Sequence, residues 1–168
     1  MIQVYDDFLD KNIFKNIQRE VMFDDIPWFY NNGVLGTHKE NLRDYQLTHT
    51  LFVDQRITSK YFEVFEPLLF KIKPLAIIKI KLNLNLYSGE TIHEHGYHSD
   101  YEGTRDEIMS TGIFYLNDNN GYTIFEESKE KVLSKSNRFL EFPTTKKHSG
   151  STSTDTKNRI VLNLNYIK

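Results

Sequence analysis

The chain has 168 residues, of which 39% are hydrophobic and 14% aromatic, with a formal net charge of −2. That length and apolar content suffice for a buried core and exclude a disordered chain; the weak charge disfavours a nucleic-acid target. Cysteine is absent, which removes disulfides, thiolate metal sites, iron–sulfur clusters and a cysteine nucleophile.

The N-terminus "MIQVYDDFLDK" has acids where a secretion signal needs a basic end and an apolar run. The best apolar stretch, "PLAIIKIKLNLNLY", is broken by lysines and asparagines, so no membrane span is expected. The expectation is a soluble, cytoplasmic, single domain over residues 1–168. Residues 1–74 provide helical support and substrate-side segments, and residues 75–168 form the core.

"IQVY" reads as a short strand, followed by Asp6 or Asp7 as a helix cap. Ile13, Ile17 and Val21 recur at helical spacing with Phe14 alongside, which predicts an amphipathic helix over 8–23. "DDIPWFYNNGVLG" is turn chemistry around an aromatic patch. "YQLTHTLFV" (45–53) alternates as a strand, and "TSKYFEVFEPLLFKI" (58–72) is helical, kinked or split by Pro67.

After Pro74 strands dominate. In "IIKIKLNLNLY" (77–87), Ile78, Ile80, Leu82, Leu84 and Leu86 share one face, and Lys79, Lys81, Asn83, Asn85 and Tyr87 share the other. "RIVLNLNYI" repeats the pattern, with Ile160, Leu162 and Leu164 opposite Arg159, Val161, Asn163 and Asn165. Between them lie "STGIFYLND", "GYTIF" and "NRFLEFP", divided by turns. The fold class is therefore mainly β with N-terminal helices, a sandwich or open barrel with helices on one side. A polar strand face means either water or the lining of a barrel that holds a polar ligand.

"HEHGYHSD" (93–100) concentrates three histidines and two carboxylates. His98 and Asp100 form an H-x-D, and in extended chain residues two apart project to the same side. By itself that motif recurs by chance. His148 in "KKHSGS" supplies a second imidazole, and two imidazoles with one carboxylate make the facial triad of non-heme iron(II) oxygenases. Arg159 opens the last strand on the polar face, where a guanidinium suits a carboxylate in two-point contact; a surface salt bridge is the plainer alternative.

The order H-x-D, His, then Arg on the final strand resembles the 2-oxoglutarate- and iron(II)-dependent oxygenases, on their prolyl-hydroxylase-like side. The resemblance covers about residues 78–168 and extends to "GIFYLN", the G-x-T-x-F of "GYTIF" and "NRFLEFPTTKKHSG". The N-terminal part is similar, more loosely, to small members encoded by marine bacteriophages. Asn120 stands where the family often has a second glycine, and the His148-to-Arg159 spacing is a residue or two longer than in prolyl hydroxylases.

The resemblance implies a double-stranded β-helix (a jelly roll or cupin-like barrel) flanked by helices. It implies iron(II) held by His98, Asp100 and His148, with 2-oxoglutarate and O2 as cosubstrates. Arg159 and the Tyr115 hydroxyl would take the distal carboxylate of 2-oxoglutarate, and Tyr87 and Asn85 would contact the cosubstrate. The activity implied is hydroxylation of a peptidyl side chain, ahead of a small molecule, with release of succinate and CO2. Two other readings stay open: a non-catalytic jelly-roll binding module, and a non-oxidative metal-dependent cupin that uses His93 and His95. Otherwise His93 and His95 lie in the loop before the site, exposed or touching substrate, and His38 and His49 are structural. Access is framed by "IPWFYNNGVLGTHKE" and "YEGTRDEIMS". Trp28, Phe29 and Tyr30 either stack on a substrate or plug the core. Lys146 and Lys147 either meet an acidic substrate or are solvated.

Overall fold

A computed structural model of the chain describes residues 1–23, 25–33, 42–101 and 108–168. The stretches 34–41, which include His38, and 102–107 were expected to frame substrate access and lie outside the described residues.

Two antiparallel sheets form the body, in a jelly-roll arrangement. The large sheet runs β1 (Gln3–Tyr5), β9 (Phe139–Pro143), β6 (Met109–Tyr115), β11 (Asn158–Ile167), β5 (Ala76–Leu86), β3 (Tyr45–Val53), β2 (Phe29–Asn32), with β4 (Arg56–Ile57) paired to β3. The small sheet runs β10 (His148–Gly150), β7 (Tyr122–Phe125), β8 (Lys131–Leu133). The two strands with the clearest alternation, β5 and β11, are direct neighbours, with Leu84 opposite Ile160 and Asn85 opposite Arg159. Because side chains alternate, this register places their leucines on one side and Lys79, Lys81, Asn83, Asn85, Arg159, Asn163 and Asn165 on the other.

The leucine side faces the helices. Ile80, Leu82, Leu84, Ile160, Leu162 and Leu164 join one buried cluster with Phe14, Ile17 and Val21 of α1 (Lys11–Phe23). Phe62 and Phe65 of a 3₁₀ helix (Lys60–Phe65) and Leu68 of α2 (Glu66–Ile72) complete it. Each such side chain contributes about 1.5–3 kcal/mol by leaving water. A smaller cluster lies between the sheets, built from Ile113, Tyr115, Leu140 and Val161 against Phe125 and Val132. Among the described residues no helix is long and apolar enough to cross a membrane.

Three details differ from the sequence reading, and a fourth, the break expected at Pro67, is observed. The α1 cap is Asp10, whose Oδ1 accepts from the amides of Asn12 (2.8 Å) and Ile13 (3.4 Å); Asp6 is instead drawn away to Arg138. Ile13 is exposed and Phe14 takes the core position. The "FYNN" stretch is not a turn, because β3 offers it an edge on which it pairs as β2. Pro67 splits the second helical stretch into the 3₁₀ helix and α2, sitting in the first turn of α2, where its missing N–H costs nothing.

Candidate metal centre

The segment after β5 is laid along the start of the small sheet, and this zipper assembles the site. His93 N donates to Thr152 Oγ1 while Thr152 N donates to His93 O. His95 N donates to Gly150 O at 3.1 Å. His98 and His148 exchange two backbone bonds of 2.9 Å, and Asp100 N reaches Thr144 O. Gly96 makes the bend before His98 with φ 106°, a conformation closed to most side chains. The pairing puts the His98 and His148 rings 4.6 Å apart, centroid to centroid.

Asp100 completes the group. Its Oδ1 lies 3.7 Å from His98 Nε2 and 4.0 Å from His148 Nε2. One ligand atom from each of the three residues falls within 4.8 Å of the others. Donors on one face of an octahedral ion stand about 3 Å apart, so a small inward movement closes the set around a metal. Protonation is arranged to match. His148 Nδ1 faces Lys146 O at 3.1 Å and His98 Nδ1 faces Gly96 O at 3.4 Å, which turns both Nε2 lone pairs inward. Burial pushes the His148 imidazole below its ordinary value, against the pull of Asp100. Burial alone would raise the Asp100 carboxyl. His148, the bonds from Thr111 and Asn165, and His98 outweigh it and hold the carboxyl below its usual value. The set thus brings two imidazole nitrogens and a carboxylate oxygen to one point.

The triad opens on a cavity of about 140 Å³ between the two sheets, lined by the polar faces of β5 and β11. An engineered cavity of about 150 Å³ takes up benzene, so this one has room for a small organic molecule. Arg159 lies at its wall, 2% exposed. Among the described residues its one side-chain hydrogen bond runs from Nε to Ser134 Oγ (2.8 Å), and no carboxylate pairs with it. Burial pushes the guanidinium below its ordinary value, the mark of a cation lacking an anion. Asn83 Oδ1 and Asn85 Oδ1 are also buried without partners. Lys79 and Lys81 line the same wall; burial, then Lys79, pushes Lys81 down to about 8.

The structure therefore brings His98, Asp100, His148, Arg159 and Asn85 to one cavity. Tyr115 is fully buried below Arg159, its ring 5.7 Å from the guanidinium carbon. Its hydroxyl donates to Thr123 Oγ1 at 2.8 Å, and it is Thr123 that lines the cavity. Tyr87 is not brought there. β5 ends at Leu86, alternation lapses, and Tyr87 stands half-exposed in a separate depression with Thr154 and Lys157. Sequence reasoning missed Thr123, although it is the T of the G-x-T-x-F noted above, and it missed Thr111 and Asn165 as supports of Asp100.

Apart from His95, the remaining candidates fall elsewhere. His49 is structural, with Nδ1 against Pro27 O and Nε2 against Ser59 Oγ, both 2.7 Å. Trp28 packs against the main core, whereas Phe29 and Tyr30 are exposed on β2. Lys146 pairs with Glu127 and Lys147 with Glu126. His93 is half-buried and faces Asp44; His95 faces Asp44 too, and its ring also lines the cavity shared by His98, Asp100, His148 and Arg159.

No family model matches the chain, and no curated sequence does. Solved structures do. A prolyl hydroxylase from Trichoplax adhaerens, in complex with a hypoxia inducible factor oxygen degradation domain peptide fragment, superposes with a TM-score of 0.69 at 14% identity. The match covers 99% of this chain and 83% of that one. The viral collagen prolyl hydroxylase of Paramecium Bursaria Chlorella virus-1, complexed with 2-oxoglutarate, gives 0.62 at 14% identity over 99% and 96%. A 2-oxoglutarate–Fe(II) oxygenase family oxidoreductase from Burkholderia pseudomallei gives 0.67 at 11% identity over 98% and 84%. The chain has the fold of these oxygenases.

Proposed function

We propose that the chain is an iron(II)- and 2-oxoglutarate-dependent dioxygenase that hydroxylates its substrate. The observation that carries this reading is Arg159, a buried guanidinium with no anion partner among the described residues, opening on the same cavity as a two-histidine, one-carboxylate donor set. A binding module has no need of that combination. The donor set suits a metal that must keep positions open, and the unpaired cation suits a dicarboxylate whose other end chelates that metal.

In this reading His98 Nε2, His148 Nε2 and Asp100 Oδ1 hold the iron. When bound, iron and 2-oxoglutarate supply the oxidising chemistry: with dioxygen they yield succinate, CO2 and an oxygen atom inserted into a substrate C–H bond. The chain's part is to hold and orient. Arg159 takes the distal carboxylate, with Thr123 as a further hydroxyl beside it, itself oriented by Tyr115. Asn85, opposite Arg159 on β5, lines the path of the keto acid. Thr111 and Asn165 hold one Asp100 oxygen so that the other stays turned to the metal.

For the substrate, a peptidyl side chain leads a small molecule, because two of the proteins with this fold are prolyl hydroxylases and one holds a peptide. Lys79 and Lys81 on the cavity wall add a preference for a substrate with an acidic group. Anaerobic addition of iron(II) and 2-oxoglutarate should give the visible charge-transfer band of a chelated keto acid, lost in His148→Ala. Succinate release then reads out a peptide and metabolite screen. A folded wild-type protein that gives no band with either metal or cosubstrate in excess removes this reading.

A further inference from the structure

A second group of ligand-type side chains lies beside the first and takes no part in the chemistry above. Asp44 immediately precedes β3, and His93 and His95 sit in the segment that follows β5. One donor atom from each falls within 4.8 Å of the others. Asp44 Oδ1 stands 2.8 Å from His93 Nε2 and 3.5 Å from His95 Nδ1. The two imidazoles meet edge to face at 5.3 Å. In a tetrahedral site with bonds of about 2.0–2.1 Å, donor atoms stand about 3.3 Å apart, and the two measured separations bracket that value.

A hydrogen-bond account is enough for His93, whose Nε2 meets the Asp44 carboxylate at normal length. It fails for His95. That side chain is 3% exposed, its Nδ1 stands 3.5 Å from Asp44 Oδ1, and among the described residues neither ring nitrogen makes a hydrogen bond of ordinary geometry. A neutral imidazole carries one donor and one acceptor, and leaving both dry in the interior is a cost that native proteins avoid. His95 Nδ1 and His93 Nε2 point at the same Asp44 oxygen, so two ring nitrogens and a carboxylate converge on one point.

We infer that Asp44, His93 and His95 form a second metal site, taking a tetrahedral divalent cation of the zinc class. Two imidazoles and one carboxylate without a thiolate suit such an ion; calcium asks for six or more oxygens. Three protein ligands leave one position for water. The ion ties the segment that carries His98 to the start of β3, close to where Arg43 reaches Thr91. The inference does not depend on the iron reading.

Cobalt(II) is the probe, because tetrahedral cobalt absorbs strongly in the visible and six-coordinate cobalt weakly. The wild-type chain, His148→Ala, Asp44→Asn and His95→Gln are dialysed anaerobically against cobalt, assayed for bound metal and checked for folding by circular dichroism. The wild type is expected to hold two ions. His148→Ala keeps one, with the strong tetrahedral spectrum. Asp44→Asn and His95→Gln each keep one, with the weak spectrum. If His148→Ala binds none, the second site does not exist, and that outcome stands even where Asp44→Asn fails to fold. If the wild type binds one ion that survives His148→Ala, the second site stands and the iron site falls.

Discussion

Asn165 donates from Nδ2 to Oδ2 of Asp100 at 2.9 Å, and Thr111 Oγ1 donates to the same oxygen at 2.7 Å. One carboxylate oxygen is thereby occupied from inside the protein, and the other is left facing His98 and His148. Outer-shell partners of this kind typically carry 10- to 100-fold in metal affinity. Combined Thr111→Val and Asn165→Leu is expected to weaken iron(II) or cobalt binding at this site by about that factor, with all three ligands still present. Asp100→Ala is expected to leave the fold intact and end succinate production. Unchanged affinity in the double variant would mean that the carboxylate is held by something else.

Arg159 makes an unusual stability prediction. A buried cation without an anion is destabilising, and replacing such groups by apolar side chains of similar volume commonly gains about 1–4 kcal/mol. Arg159→Met should therefore raise the melting temperature of the cosubstrate-free protein. The same change should weaken 2-oxoglutarate binding by about 10- to 100-fold, the worth of a charged hydrogen-bonded contact. Thermal melts with and without 2-oxoglutarate, in the presence of a redox-inert divalent metal, read both effects. A variant that is less stable alone and is still protected by 2-oxoglutarate contradicts the assignment of Arg159 as the anion partner.

What the sequence disclosed depends on how far each signal had to reach. β5 and β11 were legible because a period of two over ten residues is a local pattern, and it also separates the helix-facing leucines from the cavity-facing lysines and asparagines. His98, Asp100, His148 and Arg159 stood out only as an ordered set, through resemblance. Asp44 was invisible: it lies 49 positions from His93, and nothing near it in the chain marks it as a partner. Tyr87 was misplaced because alternation was carried one residue beyond the end of the strand. The strand β2 was missed because its edge is supplied by β3, not by its own residues.

The N-terminal strand supplies a pH test. Asp6 accepts from Arg138 Nε (2.6 Å) and Nη2 (3.1 Å) and from Lys135 Nζ (3.0 Å), tying the chain after β1 to the turn before β9. The Arg138 bond, and then that from Lys135, lowers its carboxyl from 3.8 to about 2. A carboxyl whose folded value is depressed adds stability that is present above 3.8 and is lost as pH falls through about 2. Asp6 is well exposed, so solvent reduces the effect. Urea unfolding of Asp6→Asn against wild type should show a lower midpoint for the variant at neutral pH, and the gap should narrow steadily between those two values. A gap that widens in acid would reverse the sign and exclude this origin.

Gly121, the glycine of the G-x-T-x-F stretch, tests the cosubstrate pocket without touching a donor atom. A Cβ placed there would lie 2.6 Å from Arg159 Cδ, 2.8 Å from Asn119 Oδ1 and 2.9 Å from Thr152 O. Two of these are fixed in place: Asn119 Oδ1 accepts from the Gly121 amide, and Thr152 N is bonded to His93 O. The arginine stem is the group free to yield, so Gly121→Ala should displace the guanidinium from its present aim. Overpacking of this sort costs about 1–3 kcal/mol of stability. The sharper consequence is selective: 2-oxoglutarate binding weakens by about tenfold or more, as a lost charged contact requires, while the metal affinity of His98, Asp100 and His148 stays at the wild-type value. Paired titrations of metal and 2-oxoglutarate on the folded variant measure both. Equal losses of metal and cosubstrate would point to a general collapse of the site, and no loss of either would mean that Arg159 does not set the cosubstrate's position.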